Sequence, residues 1–270
     1  MSEPSVSILG AGGRMGRMLV ATATQMGLRV VAAVEQSGSP FLGQDAGTLA
    51  AIGPLGVTVT DADHAAPADI VIDFTFHAAV PANLEKAIAN GAKGYVLGTT
   101  GLSDEEKACV KTASAKLPVV WAPNMSLGVN LLFDLVRRAA AALDESYDIE
   151  IVEMHHRHKK DAPSGTAIGL AEAAAAGRQK HLDDIAVYGR HGIVGERPAG
   201  EIAIHALRGG DVVGDHTVIF AADGERVEIT HKASSRGAFA KGAILAARWL
   251  GARNLSPAVY SMRDVLGLDK

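Results

Sequence analysis

Unbroken apolar runs alternate with segments of helical periodicity through the first half of the chain. Apolar runs without polar alternation are typical of parallel strands that are buried on both faces. They predict strands at residues 6–9, 30–35, 70–74, 95–97 and 119–121. Helices are predicted between them, including one at residues 81–90 that ends before Gly91, a favourable C-cap residue. The alternation predicts an α/β fold with a doubly wound parallel sheet.

The pattern changes after Asn124, where strands and helices no longer alternate regularly. The later elements are predicted as helices at residues 130–143, 166–176 and 239–250, and as strands at residues 148–155, 201–207, 216–222 and 226–232. Asp223-Gly224, between the last two strands, is a hairpin signal. Consecutive strands predict a second, α+β domain with an open mixed sheet. We therefore place one domain at residues 1–127 and 237–270, and the second at residues 128–236.

A glycine-rich turn, GAGGRMGR, directly follows the first predicted strand and precedes a predicted helix. Glycine permits a sharp turn and lets the backbone approach a pyrophosphate bound at the helix N-terminus. The spacing departs from G-x-G-x-x-G, because Met15 stands where the third glycine is usual and Gly16 follows it. Glu35 ends the second predicted strand and can accept hydrogen bonds from an adenosine ribose. Together these features predict a Rossmann-like dinucleotide-binding domain; the alternative is a glycine turn in another doubly wound fold.

Three other predicted strands end in loops that could meet the same ligand. Their sequences are DFTFH at residues 73–77, GTTG at residues 98–101 and APNMS at residues 122–126. Ligands of open parallel sheets lie at the carboxyl ends of the strands, so we expect these loops to face the dinucleotide. Ordinary turn chemistry is the alternative for each of them.

A basic, histidine-rich segment lies in the second predicted domain. Residues 153–166 read EMHHRHKKDAPSGT, and the Ser-Gly-Thr at their end opens a predicted helix. Proton donors and cations beside a helix N-terminus suit a small anion that carries carboxylates; a solvated basic loop is the alternative. We predict no metal site. Neighbouring histidines on a strand point to opposite faces, so at most His156 and His158 would lie on the same face, which is too few ligands for a metal ion.

Composition narrows the function classes further. With 48% hydrophobic residues the 270-residue chain can bury a sizeable core, and its net charge of −4 argues against general binding to nucleic acids or acidic membranes. There is no apolar run of membrane-spanning length and no pattern of a secretory signal, so we expect a cytoplasmic protein. The single cysteine, Cys109, lies in a predicted helix with Ser103 and Glu106 as capping box. We expect it to serve packing rather than catalysis.

A nucleotide-binding domain joined to a domain with acid–base groups fits an oxidoreductase. Reduction of a C=C or C=N bond needs a hydride on one atom and a proton on its neighbour, and His and Lys can donate that proton. A dinucleotide-binding sensor without catalysis is the alternative. Such a sensor would not need paired proton donors.

The segments GAGGRMGR, DFTFH, GTTG, APNMSLGVN and EMHHRHKKDAPSGTA together resemble the dihydrodipicolinate reductase family, from the first strand to the C-terminal helix. The resemblance implies nicotinamide-dependent reduction of 4-hydroxy-tetrahydrodipicolinate to tetrahydrodipicolinate in lysine and diaminopimelate biosynthesis. This substrate is a small cyclic dicarboxylate made from pyruvate and aspartate semialdehyde. A homotetramer is also implied. Another NAD(P)-dependent dehydrogenase of similar architecture is the alternative.

The resemblance also implies residue roles. His155 would be the catalytic proton donor or acceptor, and Lys159 a second proton donor. Substrate carboxylates would be bound by His156, Ser164, Gly165 and Thr166. The residues implied in cofactor binding are Gly10, Ala11, Gly12, Gly13, Arg14, Met15, Glu35, Gly98, Thr99, Thr100, Ala122, Pro123, Asn124 and Met125.

One position departs from the family pattern. Members that favour NADPH often carry Arg directly after the ribose-binding Glu, and here that position is Gln36. A 2′-phosphate would meet the carboxylate of Glu35 without an adjacent cation to offset it. We therefore predict that NADH is preferred, while Arg14 in the glycine turn leaves NADPH use open.

Overall fold

The computed structural model describes residues 3–268 and divides into two compact units. The first unit comprises Met1–Leu127 and Gly237–Lys270, and the second comprises Gly128–Arg236. Within residues 3–268, no helix has both the length and the apolar character that crossing a bilayer requires.

The first unit is built on a seven-stranded parallel sheet, in which the strands lie in the order 259–260, 119–121, 94–97, 70–73, 5–9, 29–34 and 59–60. Its elements before residue 127 are β1 Ser5–Leu9, α1 Arg14–Gln25, β2 Arg29–Val34, α2 Ala46–Leu49, β3 Val59–Thr60, β4 Ile70–Asp73, a 3₁₀ turn His77–Ala79, α3 Val80–Ala89, β5 Gly94–Leu97, α4 Asp104–Ser114 and β6 Val119–Trp121. The central strands are buried on both faces, as their unbroken apolar runs predict. Since all strands are parallel, the loops after β1, β2, β4, β5 and β6 leave the same edge.

The second unit has a five-stranded mixed sheet, in which the strands lie in the order 225–233, 214–222, 148–155, 202–208 and 186–188. Its elements are α5 Leu127–Ala142, β7 Asp148–His155, α6 Gly165–Gly177, α7 Leu182–Ile185, β8 Ala186–Tyr188, β9 Ile202–Arg208, β10 Gly214–Ala222 and β11 Glu225–Ala233. Strand β7 alternates between buried and half-buried residues, so one face is covered. The core on that face includes Val136, Ile151, Leu170 and Phe220. The α/β class, the parallel sheet and the mixed second sheet are confirmed.

The chain returns to the first unit through α8 Gly237–Gly251, β12 Val259–Tyr260 and α9 Met262–Leu266. Helix α8 packs closely on the loop after β6, because a side chain at Gly242 would overlap the carbonyl oxygen of Met125. The side chains of Ala122 and Met125 are buried in the core of this unit.

The packing role expected for Cys109 is wrong. Its side chain is exposed on α4, where Val110 and Ser114 are the buried residues. These two residues lie four positions apart, so the buried stripe of α4 is narrow and Cys109 falls outside it. The capping box of Ser103 and Glu106 is confirmed.

Candidate functional site

The glycine turn after β1 is shaped for close backbone packing. Gly10 has φ +71°, and its N–H donates to the carbonyl of Val34. A Cβ at Gly16 would overlap the carbonyl oxygen of Gly10, so only glycine lets α1 start this close to the turn. This contact explains why a glycine is needed at position 16 although Met15 takes the usual position.

Helix α1 begins at Arg14, and its N-cap residue is Gly13. No side chain of the described residues caps this 12-residue helix, and its first turn carries no acidic residue. Its first backbone N–H groups can therefore donate hydrogen bonds to an anion, and the positive end of its dipole favours that anion. The turn and the helix start fit the pyrophosphate of a dinucleotide.

Glu35 lies directly after β2 and contacts the glycine turn. Its Oε1 accepts a hydrogen bond from the backbone N–H of Gly12 at 2.8 Å, which brings two of the predicted cofactor residues together. Gly12 is also covered by the ring of Phe41, so that a Cβ there would overlap the ring. The guanidinium of Arg17 lies 4.8 Å from the centroid of the same ring. Phe41 and Arg17 were not predicted as site residues. No local pattern indicates that an aromatic residue will contact Gly12, which lies 29 positions earlier in the chain.

The loops after β4 and β5 are joined by the buried carboxylate of Asp73, which is 0% exposed. Its Oδ1 accepts hydrogen bonds from the backbone N–H of Thr75 at 2.9 Å and from the hydroxyls of Thr75 and Thr99 at 2.7 and 3.0 Å. Its Oδ2 accepts from the amide of Asn83 at 3.0 Å and from the hydroxyl of Tyr95. Burial and the neighbouring Asp73 carboxylate raise the pKa of Tyr95 well above its usual value. The carboxylate therefore fixes both loops, and Gly98 in the second loop lies under the ring of Phe74.

We expect Tyr95→Phe to lower the free energy of unfolding of the first unit by about 1.5 kcal/mol, because the buried carboxylate of Asp73 loses one donor. Denaturation followed by tryptophan fluorescence measures this, since both tryptophans lie in the first unit. Tyr260→Phe is the matched control, because the Tyr260 hydroxyl donates to the carbonyl of Ser256 near the surface of the same unit. Its expected cost is below about 0.5 kcal/mol. Equal costs for the two variants would contradict this reading of Asp73.

In the second unit, β7 ends at His155, and the rest of the histidine-rich segment lies beyond the strand. The expectation that His156 and His158 share one face of a strand is therefore wrong, because the strand has already ended. Their ring centroids are 6.2 Å apart. The Nδ1 atom of His156 is buried and has no hydrogen-bond partner among the described residues. Burial, followed by the charge of Arg236, lowers the pKa of His156.

Glu153 is the centre of the polar contacts in this segment. It is 0% exposed, and its carboxylate lies 2.6 Å from Nδ1 of His155 and 3.0 Å from the backbone N–H of Ser164. Arg208 at the end of β9 binds both oxygens, at 2.8 and 2.9 Å. Burial opposes the charge, but the hydrogen bonds from Arg208, His155 and Ser164 lower the pKa of Glu153 overall. Two of the predicted site residues, His155 and Ser164, thus meet at one carboxylate.

Helix α6 begins beside this carboxylate with Ser164 as its N-cap. The Ser164 hydroxyl accepts the backbone N–H of Ala167 at 3.1 Å and lies 3.1 Å from Nε2 of His216. Its side chain is therefore engaged in the helix start, while Gly165 and Thr166 form the first turn. The positive end of the α6 dipole lies at these two residues.

Lys159 and His216 complete the contacts of the segment. The Lys159 ammonium pairs with the carboxylate of Asp161 at 2.8 Å, and the carbonyl of Asp161 accepts a hydrogen bond from Arg208. The ring of His216 packs edge-on against His155 with centroids 5.1 Å apart. Burial, followed by the charge of His155, lowers the pKa of His216 to about 4.

Sequence reasoning missed Glu153, Arg208 and His216. One signal was available: Glu153 and His155 are two positions apart on a predicted strand, so they share a face. Arg208 and His216 lie on β9 and β10, and the chain carries no local sign that pairs those strands with β7.

Two family models match the chain. One, described as "Dihydrodipicolinate reductase, N-terminus", matches residues 4–125, and the other, described as "Dihydrodipicolinate reductase, C-terminus", matches residues 128–266. The chain is 53% identical over 266 residues to a protein of Anaeromyxobacter dehalogenans named 4-hydroxy-tetrahydrodipicolinate reductase, covering 97% of each chain. It is 51% identical over 265 residues to a protein of the same name from Magnetococcus marinus, covering 97% of this chain and 98% of that one.

Solved structures share the fold. The chain matches a dipicolinate-bound dihydrodipicolinate reductase from Paenisporosarcina sp. TG-14 with a TM-score of 0.72 and 24% identity, covering 96% of this chain and 98% of that one. An amine dehydrogenase from Mycobacterium smegmatis matches with a TM-score of 0.56 and 12% identity, covering 97% and 95%. These likenesses concern the fold alone.

Proposed function

Since this chain belongs to the dihydrodipicolinate reductase family and is an NAD(P)H-dependent reductase of 4-hydroxy-tetrahydrodipicolinate in lysine and diaminopimelate biosynthesis, we propose how its residues divide the work. The first unit binds the dinucleotide, and the second binds the dicarboxylate and supplies the proton. The observation that carries this division is the carboxylate of Glu153, which joins His155 to the start of α6.

The proposed cofactor residues fall into two groups. The glycine turn, residues 10–15, and the start of α1 bind the pyrophosphate. Oε2 of Glu35, to which none of residues 3–268 donates a hydrogen bond, accepts one from the adenosine ribose. The loops at residues 98–100 and 122–125 line the remainder of the cofactor. Support comes from the parallel sheet, whose carboxyl-end loops leave one edge, and from the uncapped start of α1. When bound, the nicotinamide cofactor supplies the hydride.

The two substrate carboxylates are proposed to bind at two places. His156 and Lys159 bind one, and Gly165 with Thr166 at the first turn of α6 bind the other. The buried, unpartnered Nδ1 of His156 supports the first assignment, because a buried polar atom without a partner is costly. The dipole of α6 supports the second. The Ser164 side chain acts by capping α6.

His155 and Lys159 are proposed as the proton donors. The 4-hydroxyl of the substrate leaves as water, and the reduction adds a hydride and a proton to the double bond that remains. An imidazolium and an ammonium are both able to donate that proton. His155 is 8% exposed and is held by Glu153, so its position is well defined. Lys159 is held by Asp161.

We predict that kcat/KM is higher with NADH than with NADPH, because Gln36 offers no cation to a 2′-phosphate beside Glu35. Gln36→Arg should raise kcat/KM for NADPH about tenfold, the size expected when one hydrogen bond to a charged group is gained. Steady-state rates with each cofactor measure both values. Gln25→Arg, at the far end of α1, adds the same charge as a control and should leave the ratio unchanged. A strong NADPH preference of the unaltered protein would contradict the argument.

A cytoplasmic location is also proposed. A homotetramer formed through the second unit is a separate proposal. The support is a set of exposed apolar residues on this unit: Tyr188, Ile193, Val194, Leu207 and Val227. Exposed apolar surface of this kind is typical of subunit interfaces. Light scattering of the purified protein measures the mass in solution, and a monomer would refute the assembly.

A further inference from the structure

We propose that Glu153 is a positioning residue for the reduction: it fixes the orientation and the tautomer of His155 so that Nε2 is the atom that exchanges the proton. This inference rests on the proposed role of His155.

The contacts of Glu153 determine which atoms donate. Oε1 accepts from the backbone N–H of Ser164 at 3.0 Å and from Arg208 at 2.9 Å. Oε2 accepts from Arg208 at 2.8 Å and lies 2.6 Å from Nδ1 of His155. A backbone N–H and a guanidinium can only donate, so they hold the carboxylate as an anion that can only accept. The contact with His155 therefore requires a proton on Nδ1.

A proton fixed on Nδ1 has a direct consequence for the chemistry. Neutral His155 then carries its free lone pair on Nε2, and the protonated ring can lose a proton only from Nε2 without breaking its bond to Glu153. Tetrahydrodipicolinate has one oxygen fewer than its 4-hydroxy precursor, so the 4-hydroxyl leaves as water and a double bond forms in its place. In the reduction of that double bond the Nε2–H bond breaks and its proton passes to one atom, while the other atom receives the hydride and the nicotinamide is oxidised. The carboxylate stabilises the protonated ring before this transfer, as the buried aspartate does for histidine in serine hydrolases.

The surroundings of His155 support a fixed ring. His216 on β10 packs edge-on against it, and a Cβ at Gly214 would lie 3.0 Å from Nε2 of His155. Gly214 thus leaves room at the atom that is proposed to exchange the proton. Arg208 also donates to the carbonyl of Asp161, so the same guanidinium restrains the loop that carries Lys159.

Glu153→Gln tests the proposal. A glutamine amide keeps more hydrogen bonds if its oxygen faces Ser164 and its nitrogen faces His155. The nitrogen meets one donor of Arg208 in either orientation, but only the opposite orientation also sets it against the Ser164 N–H. The amide nitrogen would then donate to Nδ1 and move the ring proton to Nε2. We expect kcat to fall about thirtyfold, as for loss of a carboxylate that orients a functional histidine. KM for the substrate should change less than about threefold, since carboxylate binding is assigned elsewhere.

Glu150→Gln is the matched control. Glu150 lies on the same strand and, like Glu153, its carboxylate contacts arginine and histidine side chains, which are Arg190, Arg197 and His205. It does not contact His155. A merely structural role for a glutamate of β7 that pairs with arginine and histidine would predict similar losses for both variants. We expect kcat of Glu150→Gln to stay within about twofold, in line with substitutions away from reacting groups. Equal losses of kcat in the two variants would overturn the proposal.

The tautomer of His155 is measured directly by nitrogen NMR of the unaltered protein without substrate. The proposal predicts neutral His155 with the proton on Nδ1, and a proton on Nε2 overturns it even if Glu153→Gln does not fold. The same NMR result distinguishes failure of the positioning of His155 from failure of the proposed function. An Nδ1 proton in a protein that fails to reduce the dicarboxylate would refute the proposed function of the site and leave the positioning of His155 standing.

Discussion

Replacing Lys159 by alanine is expected to lower kcat about a thousandfold, which is the middle of the range for loss of a group that transfers a proton. The Lys159 ammonium pairs with Asp161, and its side chain is 19% exposed. The substitution removes both a proton donor and a cation for a substrate carboxylate. Initial rates of NADH oxidation over a range of substrate concentrations separate the two losses, because a binding loss raises KM and a proton-transfer loss lowers kcat.

Lys160→Ala is the control for this variant. Lys160 is the next residue and is exposed, so the substitution removes the same charge without touching the proposed site. Its kcat should stay within about twofold of the unaltered protein. Addition of small primary amines should partly restore the rate of Lys159→Ala, since they can replace the missing donor. A Lys159→Ala protein that keeps most of its kcat would remove Lys159 from the proton transfer.

The second large effect concerns stability in acid. Between pH 6.5 and pH 4, His216 alone should lower the free energy of unfolding by about 3 kcal/mol. Burial and the charge of His155 lower the pKa of His216 to about 4 in the folded protein. The unfolded chain binds this proton near the ordinary histidine pKa of about 6.5. Within that window the unfolded state binds more protons, so stability falls as the pH falls; above it the ring is neutral in both states.

The test compares His216→Gln with the unaltered protein at pH 7 and pH 4.5. Glutamine keeps a polar group near Ser164 but does not titrate in this range. Urea denaturation monitored by hydrogen exchange of β10 reports on the second unit by itself. His191→Gln, at an exposed position, controls for loss of a histidine in general. An unchanged acid sensitivity in His216→Gln would show that other groups, such as Glu153, cause the loss of stability.

The elements predicted from sequence are those with a strong pattern. The unbroken run before Asp73 predicted β4, and the alternation at residues 148–155 predicted β7 with the observed bounds. The two-residue strands β3 and β12 and the four-residue helix α2 were missed. Whether such short elements form depends on their contacts with neighbouring elements. A hydrophobic periodicity cannot be recognised in two to four residues.

The residues of the candidate site also differ in how well the local sequence predicts them. Local motifs predict the glycine turn, Glu35 and His155 as site residues, and their roles stay predictions. The ring of Phe41 over Gly12 and the contacts of Glu153 depend on partners from distant elements, such as Arg208, 55 positions later. The pairing of strands β7, β9 and β10 brings such residues together. The local sequence around Glu153 does not indicate which distant arginine will contact it.

The reaction of this chain requires that a hydride pass from the nicotinamide cofactor to the cyclic dicarboxylate. The most direct measurement is mass spectrometry of the product formed with NADH deuterated at the transferable position, with substrate generated in situ from pyruvate and aspartate semialdehyde. We predict tetrahydrodipicolinate that carries one deuterium, in an amount equal to the NADH consumed, and none when the protein is omitted. Cofactor oxidation without deuterium in the product, or no oxidation with either cofactor, would contradict the account.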